Sequence, residues 1–154
     1  MMPGMKNFWD PKNDFRFKNT GEEYYDLSRK TFALHLKIVK QLQDAGVKMI
    51  AGTDYPNPYC FPGFSLHDEL GYMVEAGLTP LQALQTATIN PALYFNITKD
   101  YGTVELNKVA NLILLDENPV ADINNTKKIF AVILNGKYIG KSELEQMLKK
   151  LWKQ

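Results

Sequence analysis

Met49-Ile50-Ala51-Gly52-Thr53-Asp54-Tyr55-Pro56-Asn57-Pro58 begins as an apolar run and ends as a turn. Val47 to Ala51 is brief, apolar and bounded by Gly46 and Gly52. That is the pattern of a short buried strand, with Lys48 its one charge. The run closes on Asp54. An aspartate there can fold its side chain back onto the chain ahead of Tyr55-Pro56, as an Asx turn does. It can equally stand at a strand end as an active-site carboxylate. The local residues favour the turn, so the wider pattern has to decide.

Upstream, Leu27, Thr31, Leu34, Ile38, Leu42 and Ala45 recur at spacings of three and four, which predicts a helix over 26–45. Gly46 is its stop signal. Residues 1–25 read as an irregular lead-in, with Pro3, Gly4, Pro11 and Gly21 among scattered aromatics (Phe8, Trp9, Phe15, Phe17). Downstream, a helix is expected from Ser65 to Glu75, with Ser65 as cap and Asp68-Glu69 set against its dipole. Gly77 ends it. Thr79-Pro80 opens the next helix as cap and first residue, and Asn90-Pro91 breaks it before a further turn over Ala92–Phe95. Val109–Leu115 and Ile129–Leu134 are strand-like, and Asn135-Gly136 is a two-residue hairpin signal before Tyr138-Ile139. Residues 142–152 close as an amphipathic helix, whose Lys149, Lys150 and Lys153 read as a solvated face.

The composition bounds the function. The chain has 154 residues, enough for one domain with a core. Lys+Arg is 18 against Asp+Glu 17, for a net charge of +1, which gives no argument for a nucleic-acid partner. The apolar runs fall far short of the ~20 residues that span a bilayer, so no membrane partner is expected. Cys60 is the single cysteine, which excludes an internal disulfide and suits a reducing compartment. Met1–Lys6 shows no apolar signal region, so a cytoplasmic location is expected if the chain starts at Met1.

The order of motifs then becomes recognisable. Met49–Asp54 is followed by Ser65-Leu66-His67-Asp68-Glu69-Leu70, by Val74-Glu75-Ala76-Gly77-Leu78-Thr79-Pro80, and by Ala87-Thr88-Ile89-Asn90-Pro91-Ala92. Asn111–Pro119 and Val132–Gly136 complete the series. Over roughly residues 27–140 the chain resembles the C-terminal portion of a metal-dependent amidohydrolase of the imidazolonepropionase-like or prolidase-like branch. The resemblance implies an α/β fold. Residues 26–100 become the C-terminal part of a (β/α)8 barrel, with 47–54 its last strand. Residues 101–141 become the returning strands of a small β-sandwich, and 142–154 a terminal helix. One departure stands out: the usual Gly-Lys-x-Ala-Asp is here Asn107-Lys108-Val109-Ala110-Asn111, which should alter a tight turn and not the chemistry.

What the resemblance implies for chemistry is hydrolysis of a carbon–nitrogen bond in an amide, cyclic amide or dipeptide-like small molecule. A divalent metal, zinc by expectation, lowers the pKa of a bound water to about 7 and polarises the carbonyl. The aspartate matching Asp54 ligates the metal and shuttles the proton. The family also needs a His-x-His pair and further histidines. This chain has only His35, inside the first helix, and His67, just past the strand. His67 and Tyr59 are candidate substrate contacts; Phe61 and Cys60 share the loop of Tyr59. A complete barrel takes about 250 residues. The expectation is therefore a segment of such an enzyme, inactive alone and without metal of its own. The alternative is a non-catalytic α/β module that forms a homo-oligomer or associates with a partner chain through exposed apolar surface.

Overall fold

The computed structural model describes residue 7, residues 9–18 and residues 20–152. Residues 1–6, Phe8 and Lys153 lie outside the described residues, and with them those parts of the lead-in and terminal-helix expectations. Helix α1 spans Glu22–Asp44, α2 Ser65–Glu75, α3 Pro80–Thr86 and α4 Ile89–Tyr94. Strands β1 (Leu112–Leu115), β2 (Ile129–Leu134) and β3 (Lys137–Gly140) follow, then α5 (Lys141–Trp152). The fold is mixed α/β.

The start and stop signals act as their chemistry demands. Thr79 accepts from the Gln82 backbone N–H, and Gln82 returns the bond to the Thr79 N–H, a complete capping box with Pro80 at the first position. Gly77 ends α2 at φ +106°; a Cβ there would lie 2.9 Å from Lys40 Cδ of α1. Two expectations shift. Phe64, not Ser65, is the cap residue of α2; the Ser65 hydroxyl instead accepts from the Phe61 N–H at 2.7 Å. The helix break falls at Ala87-Thr88 and not at Asn90-Pro91, because Pro91 sits in the first turn of α4, where its missing N–H costs nothing.

Residues 47–54 form no helix and join no strand ladder. Val47 is 45% and Ile50 40% exposed, so the expected buried strand is not buried. The reason is visible in the backbone. Ala51 donates to the Thr86 carbonyl at 3.0 Å, and the Met49 carbonyl accepts from Asn90 Nδ2 at 2.8 Å. Met49 and Ala51 are therefore held by α4 and α3, and the alternating Lys48 and Ile50 are left without a backbone bond among the described residues.

The core is small and lies beside this segment. Leu70 of α2, Ala83 of α3 and Ile123 are buried together, with Ala51, Met73, Val74, Leu84 and Ala87 packed around them. Ile123 arrives on a 3₁₀ turn, Ile123–Lys127, that the sequence did not signal. Lys127 Nζ ties this turn to Asp68 of α2 at 2.8 Å. Helix α1, by contrast, buries no residue; its apolar stripe (Leu27, Leu34, Ile38, Leu42) is exposed, and Phe32 meets Tyr72 of α2 edge-on at 5.2 Å. No helix among the described residues is long and apolar enough to cross a membrane.

The three strands form one antiparallel sheet in the order β1-β2-β3, with Ile113 opposite Val132 and Val132 opposite Ile139. Asn135 (φ 49°) and Gly136 (φ 80°) make the expected hairpin turn. No second sheet faces this one among the described residues. The departure at 107–111 is accommodated locally. Asn107 takes the left-handed φ of 67° that a glycine would favour, and Asn111 Oδ1 accepts from the Asn135 N–H at 2.7 Å. Both changes stay within the turns of the small sheet.

Candidate functional site

Asp54 ends the 47–54 segment, exposed to solvent, with a left-handed φ of 56°. Its carbonyl accepts from the Asn57 N–H at 3.0 Å, and its Oδ2 accepts from Asn57 Nδ2. A turn forms here, but not the Asx turn the sequence suggests: Pro56, two residues on, has no N–H to give the carboxylate, so the Asp54 carbonyl closes the turn and the carboxylate takes only the Asn57 side-chain amide among the described residues. Two residues earlier, Gly52 donates its N–H to Glu69 Oε1 at 2.8 Å. The sequence sets Glu69 against the dipole of α2. Its side chain instead fastens α2 to the segment end, and its Oε2 is buried with no hydrogen-bond partner among the described residues.

Tyr59 lies on the loop after Asp54, at φ 68° and about half-exposed. Its hydroxyl donates to the Trp9 carbonyl at 3.0 Å, and Trp9 Nε1 donates to the Pro56 carbonyl at 3.3 Å. Trp9 also meets Phe61 edge-on, ring centres 4.9 Å apart. The lead-in thus packs on the loop that follows Asp54. Cys60, between Tyr59 and Phe61, is a free, half-buried thiol.

His67 belongs to a different face. It lines a cavity of about 430 Å³ between α2 and the Ile123–Lys127 turn, with Asp68, Glu75, Asp122 and Lys127. Neither Asp54 nor Tyr59 lines that cavity. Burial holds the His67 imidazole below its usual pKa, the Lys127 ammonium adds to this, and Asp68 opposes it. Its Nδ1 is buried with no partner among the described residues. His35 is exposed on α1.

The described residues do not by themselves make a metal centre. No group of three or more His, Cys, Asp or Glu able to hold a metal ion occurs among the described residues. The group that meets the Asp54 carboxylate is the Asn57 amide, a hydrogen-bond donor. One carboxylate at the end of the 47–54 segment, with a second acidic side chain turned onto the backbone behind it, is too little to hold an ion.

Residues 25–139 match the Amidohydrolase family, and the chain belongs to it. It is 32% identical over 90 residues to a provisionally named adenine deaminase of Picrophilus torridus, covering 58% of this chain and 14% of that protein. Over 108 residues it is 31% identical to the N-substituted formamide deformylase of Arthrobacter pascens, covering 64% of this chain and 20% of that one. Among solved structures, a Xaa-Pro dipeptidase with methionine bound in its active site superposes with a TM-score of 0.62 at 30% identity, over 68% of this chain and 25% of the other. The chain therefore spans a fifth or less of the curated relatives it matches.

Sequence reading missed Trp9, Asn57, Glu69 and Asn90 as residues that shape the Asp54 end. The signals were present but generic. Glu69 sits in the Ser65–Leu70 motif, and Asn90 in Asn90-Pro91, where a helix-breaking role was the simpler account.

Proposed function

We propose that this chain is the C-terminal part of a hydrolase acting on carbon–nitrogen bonds, with Asp54 contributing one carboxylate to its reaction centre. The family match over residues 25–139 carries this reading. In support, the relatives include a deaminase, a deformylase and a dipeptidase, each named for cleavage at a C–N bond. On this reading residues 47–54 are the last barrel strand, and the backbone of Lys48 and Ile50 receives a neighbouring strand. Residues 101–141 are half of a two-layer sandwich. The C-terminal end of a barrel strand is where such enzymes keep their chemistry, and Asp54 holds that position. A divalent metal, zinc by the family's habit, would polarise the carbonyl and activate water. The other donors must come from outside this chain, so no step through the metal is derived from it. What Asp54 supplies is an exposed carboxylate, hydrogen-bonded among the described residues by the Asn57 amide alone and fit to accept a proton from an adjacent water.

The test is reconstitution. The chain, joined to or mixed with an N-terminal amidohydrolase portion carrying a His-x-His pair, should hydrolyse an Xaa-Pro dipeptide or an N-substituted formamide. Asp54→Asn should remove that activity, and the isolated chain should take up no stoichiometric zinc. Full turnover with Asp54→Asn sinks the assignment. A second reading, a self-associating α/β module, draws on the exposed stripe of α1 together with Val47 and Ile50. Light scattering on the isolated chain that finds a discrete homo-oligomer, with no gain of activity on reconstitution, would favour it.

A further inference from the structure

We propose that Trp9 is a positioning residue: it fixes the orientation of the Asp54 carboxylate through the Pro56–Asn57 peptide. One peptide unit carries the whole connection. Its oxygen, on Pro56, accepts from Trp9 Nε1 at 3.3 Å. Its N–H, on Asn57, donates to the Asp54 carbonyl at 3.0 Å. The carbonyl and N–H of a trans peptide point in opposite directions, so a bond at each end fixes the plane between them. The Asn57 side chain starts from that fixed plane and donates Nδ2 to Asp54 Oδ2.

The grip is reciprocal. Tyr59 returns a bond from its hydroxyl to the Trp9 carbonyl at 3.0 Å, and Phe61 packs edge-on against the indole. Trp9 is only 6% exposed, although 47 residues separate it from Pro56. The turn that follows it is closed by local bonds to its neighbour Asp10: Lys12 donates its N–H to Asp10 Oδ1 at 3.0 Å, and Asn13 to the Asp10 carbonyl at 2.8 Å. Beyond that, the Arg16 guanidinium grips Asp14 with two nitrogens. The latch also explains a costly backbone choice. Asp54 and Tyr59 both hold left-handed φ, tolerable for an aspartate but unfavourable for a tyrosine. Such conformations persist where surrounding contacts over-determine them, and the Trp9 contacts meet the loop on both sides of Asn57. The lead-in is thus a fastener for the loop.

The catalytic meaning of the latch rests on the reading of Asp54 as a site carboxylate; the latch itself is measured without turnover. Trp9→Phe keeps an aromatic ring and removes the N–H together with the pyrrole half of the indole. Hydrogen exchange at the Asn57 amide, followed by NMR on the whole chain, should quicken about fivefold, the effect of one lost hydrogen bond. The two Asn57 Nδ2 protons should move toward the positions of a free side-chain amide, while amides of β1 and β2 stay unchanged. Tyr59→Phe, which removes only the reciprocal bond, should give a smaller change in the same direction. Asn57 exchange within twofold of the parent in both variants overturns the proposal, and so does a rise spread equally over the sheet. If Trp9→Phe unfolds the chain, Tyr59→Phe alone decides. In the reconstituted enzyme Trp9→Phe should lower kcat and leave KM nearly unchanged. Turnover indifferent to Asp54→Asn would instead strike the assignment of Asp54 and not the latch.

Discussion

Replacing Glu69 by alanine probes the joint between α2 and the end of the 47–54 segment. Glu69 Oε1 accepts the Gly52 N–H at 2.8 Å, and no other described acceptor serves that donor. Hydrogen bonds to a charged group contribute about 1.5–3 kcal/mol net. Gly52 is exposed, so water replaces part of the lost bond, and the estimate falls to the lower end, about 1.5 kcal/mol. Alanine also improves the intrinsic helix propensity of α2 by a few tenths, roughly 0.3 kcal/mol in the opposite direction. The expected net loss for Glu69→Ala is therefore about 1 kcal/mol. Glu69→Gln keeps the Oε1 acceptor and changes only the position of Oε2, which has no partner among the described residues. Its loss should stay under about 0.5 kcal/mol, the difference between a charged and a neutral acceptor softened by water. Urea unfolding followed by circular dichroism gives both values, and exchange at the Gly52 amide localises them. If Glu69→Gln costs as much as Glu69→Ala, or if Gly52 exchange ignores both, the joint is not what holds the segment end.

Other outcomes follow from the same structure. Leu70 is 4% exposed at the centre of a small core, so Leu70→Ala should cost about 2–4 kcal/mol in urea unfolding. Gly102 sits at φ +98°, and an added Cβ would lie 2.7 Å from Ala92 Cβ. Gly102→Ala should therefore cost about 2 kcal/mol or more, which thermal unfolding would register. His67 is held below its usual pKa of 6.5, chiefly by burial. Below that value the unfolded chain takes up a proton that the folded chain resists, so stability should fall as pH drops from about 6.5 toward the folded value. His67→Gln should flatten that slope in a pH series of denaturation midpoints; an unchanged slope places its origin elsewhere. Finally, the exposed stripe of α1 beside Val47 and Ile50 should make the isolated chain self-associate, and Leu34→Lys with Ile38→Lys should return it to a monomer by light scattering.

What was legible in the sequence was mostly local. The 3.6-residue spacing of Leu27 to Leu42 gave α1 to within a few residues, and Thr79-Pro80 and Asn135-Gly136 set their helix start and hairpin. These signals act over a handful of bonds, and no distant contact overrides them. Burial was legible only in part. Val47 to Ile50 has the composition of a buried strand, yet composition states what a segment can bury, not what lies beside it. With no neighbouring strand among the described residues, Ile50 stays in solvent.

The site divides the same way. The sequence by itself determined the helices and the hairpin, which are written in nearby residue order, and membership of the amidohydrolase family, which is written in the order of motifs along residues 25–139. Only the tertiary structure decided that Glu69 holds Gly52, that His67 faces the cavity of the Ile123–Lys127 turn, and that Trp9 closes on Pro56. Those pairings join residues far apart in the chain, and the packing geometry that selects one acceptor among many has no counterpart in local order.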